Sequence, residues 1–125
     1  MVVLDTCAII EACKKSPGFS ANTSKLMEAG TYILSISFAE IACKVKLGKL
    51  EMSVSPRMLY EEIRQVENVE FVDISITEWL DSIELPWPEN KDPADRLITA
   101  FAAKKNLTMV TNDKLIKRYY KKVIW

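Results

Sequence analysis

Short apolar runs alternate along the chain with longer segments whose apolar residues recur every three or four positions. A run of this length bounded by turn residues predicts a buried strand, and the three-to-four spacing predicts a helix. The predicted strands are MVVLD (1–5), TYILSI (31–36), VEFVDI (69–74), LTMVT (107–111) and KKVIW (121–125). The helical segments between them begin near residues 6, 20, 37, 55, 75 and 92, and a short helix or turn follows at 112–120.

Residues typical of helix ends punctuate this pattern. Gly30 follows the second helical segment, where glycine is a good C-cap, and Ser55 precedes Pro56, a typical helix start. Ser37 and Glu40 have the spacing of a capping box, so we expect them to begin the third helix, which Gly48 ends.

Strands that alternate with helices predict an α/β fold with a mainly parallel sheet covered by helices on both faces. The chain has 125 residues, which predicts a single domain over 1–125. Hydrophobic residues make up 49% of the chain and charged residues 27%, a balance typical of globular proteins. No signal peptide and no apolar run long enough to span a bilayer is expected.

Charge and composition limit the kinds of catalytic and metal site that the chain can form. Lys plus Arg equals Asp plus Glu at 17 each, so net charge indicates neither an acidic nor a basic partner. The chain has no histidine, which excludes histidine-based nucleophile pairs and histidine metal sites. Cys7, Cys13 and Cys43 are odd in number, lack metal-ligand spacing and lie in apolar segments. They predict reduced, buried thiols in a cytosolic protein.

Two aspartates flank a proline in the segment ENKDPADRLITAFAAKKN, residues 89–106. Asp92 fits the N-cap of a helix, Pro93 its first position, and Asp95 its first turn. An acid in the first turn also suits the helix dipole. On these residues alone, plain capping is the more common role, and ligand binding stays open.

Acidic residues also follow the predicted strands. Asp5 ends the first strand, Glu40 follows the second and Asp113 follows the fourth. Ligands of parallel sheets bind beyond the carboxyl ends of the strands, so these acids and those of the Asp92–Asp95 segment share one edge. Each has an alternative role in a cap or turn. Together, two carboxylates about 5 Å apart repel by roughly 3 kcal/mol at an effective dielectric near 20. Oxygen ligands alone favour Mg²⁺ or Mn²⁺, which suit phosphodiester chemistry.

Four of these segments, in this order, resemble the motifs of the PIN-domain ribonucleases, in particular the VapC-type toxins of toxin–antitoxin pairs. They are VVLDTCAII, SFAEIACKVKLGKL, KDPADRLITAFA and VTND, with a terminal VIW that is also similar. The resemblance spans nearly the whole chain. Where relatives often have a histidine before the third motif and an aromatic inside it, this chain has Glu89-Asn90-Lys91 and Ala94.

The resemblance implies a PIN-like three-layer sandwich and a metal-dependent endoribonuclease with Mg²⁺ or Mn²⁺. It makes Asp5, Glu40, Asp95 and Asp113 the catalytic, metal-binding acids. Thr6, Asn112 and Arg96 would support them, and Asp92 would be mainly a cap or outer-shell group. Arg96 would reach a phosphate or pair with a neighbouring acid.

The implied partners are an RNA substrate, a cognate antitoxin and a second copy of the chain in a homodimer, without a membrane and in the cytoplasm. A basic set near the carboxyl terminus could hold the RNA backbone, with Tyr119 and Tyr120 stacking on bases, or could be a solvated face. It comprises Lys114, Lys117, Arg118, Lys121 and Lys122. Three further lysines, Lys44, Lys46 and Lys49, follow Glu40 along the chain.

Trp79 and Trp87 are expected in the core or an interface. Apolar residues in surplus of the core predict a groove for an antitoxin helix, with ordinary packing and a homodimer seam as the alternative: Met27, Leu47, Leu50, Met52, Met58 and Leu59.

Other classes of protein remain as alternatives. A receiver-type phosphoacceptor domain has this length and element order, but it needs an acid pair after the first strand, where Asp5 stands alone. An aspartate phosphatase needs D-x-D, and Cys7 occupies the second position. A PIN-fold RNA-binding or RNA-processing protein that is not a toxin would retain the fold, and the complete acid set argues against a pure binding module.

Overall fold

The structure, a computed structural model of the chain, describes residues 1–90 and 92–125. Lys91, one of the residues expected to differ from the family pattern, lies outside the described residues. The strands are β1 (Val2–Leu4), β2 (Thr31–Leu34), β3 (Val69–Val72), β4 (Thr108–Val110) and β5 (Val123–Ile124). The helices are α1 (Thr6–Ala12), α2 (Ala21–Ala29), α3 (Ser35–Lys46), α4 (Pro56–Ile63), α5 (Ile76–Ile83), α6 (Pro93–Lys105) and α7 (Lys114–Tyr119).

The five strands form one parallel sheet in the order β3-β2-β1-β4-β5. Strand β1 lies in the middle and is buried along its whole length. Successive residues of a strand point to opposite faces of the sheet. Val3 accordingly belongs to one hydrophobic core, and Val2 and Leu4 belong to a second. The two cores lie on opposite faces of the sheet, which confirms the expected α/β fold with helices on both faces.

Most of the helix starts follow the local sequence. The side chain of Ser55 accepts the main-chain N–H of Met58 and precedes Pro56, as expected. Ser75 and Glu78 form a capping box at α5. Helix α2 ends at Gly30 as expected. Within the described residues, no helix has both the length and the apolar character needed to cross a membrane.

The predicted capping box of Ser37 and Glu40 is wrong. Helix α3 begins two residues earlier, at Ser35, immediately after β2, and no side chain caps its first turn. The Ser37 hydroxyl is buried and accepts a hydrogen bond from Thr6 Oγ1 at 3.0 Å. A contact between two helices therefore replaces the local cap, and Glu40 lies in the second turn of α3 rather than the first.

The prediction that the thiols are buried is wrong for two of the three. All three thiols are free, but Cys13 and Cys43 are exposed and only Cys7 is half-buried. Tyr119 stacks on the buried Trp87 with ring centres 4.7 Å apart. Tyr120 donates its hydroxyl to the main-chain oxygen of Leu107. Both tyrosines are partly buried and pack against the core.

Trp87 is 2% exposed, and Trp79 packs against the same core. Both tryptophans therefore lie in the core, one of the two places where we expected them.

Candidate active site at the carboxyl edge of the sheet

Two acids follow neighbouring strands at the same edge of the sheet. Asp5 comes directly after β1 and Asp113 comes three residues after the end of β4, and these strands pair in parallel. Each also caps a helix: Asp5 Oδ1 accepts the N–H of Thr6 at 2.8 Å, and Asp113 Oδ1 accepts that of Ile116 at 2.9 Å. The structural and chemical roles of these acids are therefore compatible, since each cap occupies one carboxylate oxygen.

The other oxygen of Asp5 is held by two side chains that the sequence reasoning did not select. Thr111 donates its hydroxyl to Asp5 Oδ2 at 2.8 Å and accepts the N–H of Asp113 at 3.1 Å. Cys7 donates its thiol to the same oxygen at 3.3 Å. Thr111 thus links the two strand-end acids. Its position directly after a buried strand and two residues before an acid was the signal that could have identified it.

Burial is the main cause of the raised pKa values of Asp5 and of Cys7 beside it. Asp5 is 6% exposed, and loss of solvent raises the pKa of its carboxyl, while Thr111, Thr6 and Cys7 oppose the rise and Asp113 adds to it. Burial, followed by the charge of Asp5, raises the pKa of Cys7 to about 11. The thiol therefore keeps at neutral pH the proton that it donates.

Asp95 faces the same acids from the first turn of α6. The pKa of Asp95 is raised to about 7: desolvation is the largest cause, the hydrogen bond from Asn90 opposes the rise, and the charges of Asp5, Asp92 and Asp113 add to it. Asn90 is 3% exposed and donates its Nδ2–H to Asp95 Oδ2 at 2.9 Å. The sequence reasoning noted Asn90 only as a departure from relatives and missed this contact.

Asp92 is the N-cap of α6, as expected. Its Oδ1 accepts the main-chain N–H groups of Ala94 at 2.8 Å and Asp95 at 3.3 Å, and its side chain is exposed. Its link to the site is its charge, which acts on Asp95. The helix start that Asp92 and Pro93 predicted is therefore confirmed.

Glu40 approaches the site through Thr6. Glu40 Oε1 lies 3.4 Å from the Thr6 hydroxyl, as an alternative acceptor to Ser37 for its single proton, and Oε2 forms an ion pair with Lys44 at 3.2 Å. Thr6 is 2% exposed and also donates its N–H to Asp5. Thr6 therefore connects the strand-end acid to Glu40.

The two other supporting residues lie differently from expectation. Asn112 is exposed, and its side-chain oxygen accepts a hydrogen bond from Lys117 at 3.2 Å. Arg96 is 8% exposed, and its guanidinium donates to main-chain oxygens between residues 82 and 90. The prediction that Arg96 reaches a phosphate or a neighbouring acid is wrong, because its side chain is buried in the connection between α5 and α6.

The donor set fits a hard divalent cation. Asp5, Asp95 and Asp113 offer carboxylate oxygens, and their charges act on one another. Mg²⁺ and Mn²⁺ prefer such oxygens. Within residues 1–90 and 92–125, no three acidic, cysteine or histidine side chains already converge as metal ligands. The carboxylates would therefore have to move together to share one ion, which their mutual repulsion opposes until a cation is present.

Two cavities lie away from the candidate site, and both are lined mainly by apolar residues, with some charged residues among them. One, of about 600 Å³, is lined in part by Phe19 and Met27, and the other, of about 590 Å³, by Leu50, Met52 and Leu59. They share four lining residues: Ala12, Cys13, Ile63 and Val66. Neither is lined by Asp5, Glu40, Asp95 or Asp113.

The apolar residues expected in surplus divide between core and surface. Leu59 is buried in the second core, and Met27, Leu50 and Met52 pack against it. Leu47 is 63% exposed and Met58 is 55% exposed.

The fold and the acid edge agree with a family match. The family model described as PIN domain matches residues 2–122, and the chain belongs to the PIN-domain family. A comparison with curated protein sequences finds no match.

Solved structures share the fold at low sequence identity. A toxin–antitoxin complex from Klebsiella pneumoniae is 16% identical, with a TM-score of 0.64, over 100% of this chain and 97% of that one. VapBC2 from Rickettsia felis, bound to a DNA fragment from its promoter, is 24% identical with a TM-score of 0.64, and the match covers 99% of this chain and 96% of that one. FitAcB from Neisseria gonorrhoeae is 21% identical with a TM-score of 0.61, and the match covers 100% of this chain and 97% of that one.

Proposed function

We propose that this PIN domain is a metal-dependent endoribonuclease and the toxin of a type II toxin–antitoxin pair. The observation that carries the proposal is the electrostatic coupling of Asp5, Asp95 and Asp113 at one edge of the sheet, with the pKa of Asp95 raised to about 7. A protein that gathers repelling carboxylates in a partly buried site gains most from a bound cation.

Asp5, Glu40, Asp95 and Asp113 would hold Mg²⁺ or Mn²⁺. When bound, such an ion lowers the pKa of its water and screens the charge of a phosphodiester. The chain's own residues orient the acids: Thr111 holds Asp5, Thr6 contacts Glu40, and Asn90 holds Asp95. Helix α7 begins at Asp113 and carries Lys114 and Arg118 on its exposed surface, which supports contact with RNA phosphates.

Paired substitutions at the start of α6 test the proposed function. Asn caps a helix about as well as Asp, so Asp92→Asn should stay folded and keep most of the RNA cleavage with Mg²⁺ or Mn²⁺. Asp95→Asn removes a negative charge from the site and should lose about a hundredfold or more in rate. Cleavage assays on the purified variants, with melting curves to check folding, give the comparison. Equal losses would make Asp92 a ligand as well, and a wild type that cleaves no RNA with either metal would refute the nuclease assignment.

A partner protein fits the apolar surface. The cavities lined by Met27 and by Leu50, Met52 and Leu59 adjoin, and they support docking of an amphipathic antitoxin helix. Because the four acids do not line them, an antitoxin would have to extend beyond the groove to bring a basic side chain to the carboxylates.

Helix α5 exposes an apolar stripe of Ile76, Leu80 and Ile83, spaced as one helical face, which supports a homodimer. The proposed setting is the cytoplasm, where toxin and RNA would meet.

Co-expression with the gene immediately upstream tests the toxin assignment. We expect a stable complex without ribonuclease activity. A complex that cleaves RNA as fast as the free protein, or no small protein encoded upstream, would refute the toxin role and leave the nuclease proposal standing.

A further inference from the structure

The buried side chain of Arg96 organises the connection between α5 and α6. Its five N–H groups each donate to a different main-chain oxygen, at 2.5–3.2 Å. The acceptors belong to Ser82, Ile83, Leu85, Trp87 and Asn90. A guanidinium has five N–H donors, so all of them are used. The first two acceptors lie in and beside the last turn of α5, where a positive charge also suits the helix dipole.

This connection leads to Asn90, whose main-chain oxygen, side-chain oxygen and side-chain N–H each form a hydrogen bond. The Asn90 main-chain oxygen accepts from Arg96 at 2.9 Å. Its side-chain oxygen accepts the N–H of Asp92 at 2.8 Å, and its Nδ2–H donates to Asp95 Oδ2 at 2.9 Å. A main-chain N–H only donates and a carboxylate only accepts, so the two partners fix which end of the amide faces each of them.

We propose that Asn90, fixed by Arg96, is a positioning residue that holds the Asp95 carboxylate towards Asp5 in the form that receives a divalent cation. The cation part rests on the proposed function. Asp95 lies among like charges, which would turn a free carboxylate towards solvent. The hydrogen bond from Asn90 occupies Oδ2, and within the described residues Oδ1 has no hydrogen-bond partner. One oxygen of Asp95 is therefore anchored while the other stays available.

A purely structural role for Asn90 makes different predictions. Asn90→Asp has nearly the same shape and keeps the oxygen that accepts from Asp92, but it loses the N–H that Asp95 needs. Asn90→Ala loses both contacts. Glu89→Ala is the matched control, because Glu89 is the exposed neighbour in the same connection. If Asn90 only shapes the connection, the Asp95 carboxylate should keep its orientation in Asn90→Ala, whereas Asn90→Asp also places a new negative charge beside Asp95.

Calorimetric titration with Mn²⁺ and RNA cleavage kinetics provide the first test. We expect Asn90→Ala to bind Mn²⁺ about tenfold more weakly, as is usual when a residue that orients a metal ligand is lost. At saturating Mn²⁺, kcat should fall about tenfold in both Asn90 variants, with KM for RNA unchanged. Glu89→Ala should match the wild type in every quantity. Wild-type values in both Asn90 variants would overturn the proposal, as would equal losses in Glu89→Ala.

Crystal structures of the metal-free variants separate this inference from the proposed function. We expect the Asp95 carboxylate to turn away from Asp5 in both Asn90 variants and to stay in place in Glu89→Ala. A wild type that binds no Mn²⁺ would refute the metal-dependent nuclease, and the orientation of Asp95 would still decide the role of Asn90. Asp95 unmoved in both Asn90 variants would overturn the positioning role whatever the activity. If Asn90→Ala fails to fold, the uncharged Asn90→Leu, which has a similar volume and also lacks both contacts, decides the outcome, because Asn90→Asp could turn Asp95 by charge repulsion alone.

Discussion

The candidate site has two sides that hold a buried acid in different ways. On the strand side, which comprises Asp5, Thr111 and Asp113, Asp5 receives three donors from Thr6, Thr111 and Cys7. On the helix side, which comprises Asn90 and Asp95, Asp95 receives one side-chain donor and its pKa rises to about 7. Burial raises the pKa of the acid on both sides, hydrogen bonds oppose the rise, and Asp95 feels the charges of three neighbouring acids where Asp5 feels that of one. The helix side therefore gains more from a cation.

The largest expected effect is on the strand side. Asp5→Asn should keep the helix cap and the fold, because asparagine caps well, but should reduce RNA cleavage about a thousandfold. Asp73→Asn is the control, since Asp73 directly follows β3 at the same edge of the sheet and is exposed. Cleavage rates of the two purified variants give the comparison. Similar rates in both would mean that Asp5 does not differ from any other strand-end acid.

The next largest effect concerns Arg96, whose hydrogen bonds hold the connection that carries Asn90. Arg96→Lys keeps the charge but provides three donors for five carbonyl oxygens. It should lower the free energy of unfolding by about 2–4 kcal/mol, because buried carbonyl groups lose partners. Urea unfolding measures this, with the exposed Arg118→Lys as the matched control. An unfolding free energy equal to that of the control would show that the five hydrogen bonds do not hold the connection.

Thr111→Val should weaken the strand side by less. It preserves shape but leaves the Asp113 N–H without its acceptor and removes one donor from Asp5. We expect a loss of about 1–3 kcal/mol in unfolding free energy. Thr111→Ser keeps the hydroxyl and should recover most of that loss. If valine and serine variants unfold alike, the hydroxyl is not what joins the two acids.

The smallest effect is the pH dependence of metal-free stability. The folded pKa of Asp95 is about 7 and the unfolded value is 3.8, so the folded state binds the proton more tightly. This contribution is complete below about pH 4 and is lost as the pH rises through 7. Discounted for partial solvent exposure, the loss is on the order of 1–2 kcal/mol. Asp95→Asn should remove this pH dependence of the unfolding free energy, and Asp92→Asn should retain most of it. An unchanged pH profile in Asp95→Asn would contradict the burial of this charge.

The placement of the acids on the strand side could be predicted from the sequence, because it follows from the order of strands in a parallel sheet. Parallel strands bring their carboxyl ends to one edge, so acids such as Asp5 and Asp113 after adjacent strands meet there. Helix starts with a strong local signal, such as Asp92-Pro93 and Ser55-Pro56, were also predicted correctly.

Features that depend on contacts between distant residues were missed or mistaken. The Ser37 hydroxyl contacts Thr6, 31 residues away, instead of capping its own helix. Arg96 is one residue from an acid of the site, yet its donors reach carbonyl groups 6 to 14 residues away. Such contacts depend on the path of the connection after α5, which local sequence signals do not specify. Asn90 could not be assigned a role until that path was known.

The central claim is that the two sides hold one divalent cation. Anomalous diffraction from crystals soaked in Mn²⁺ tests it most directly. We expect a peak between the carboxylates of Asp5 and Asp95, within ligand distance of both, and its loss in Asp5→Asn. A peak at only one side, or none at saturating Mn²⁺, would contradict it.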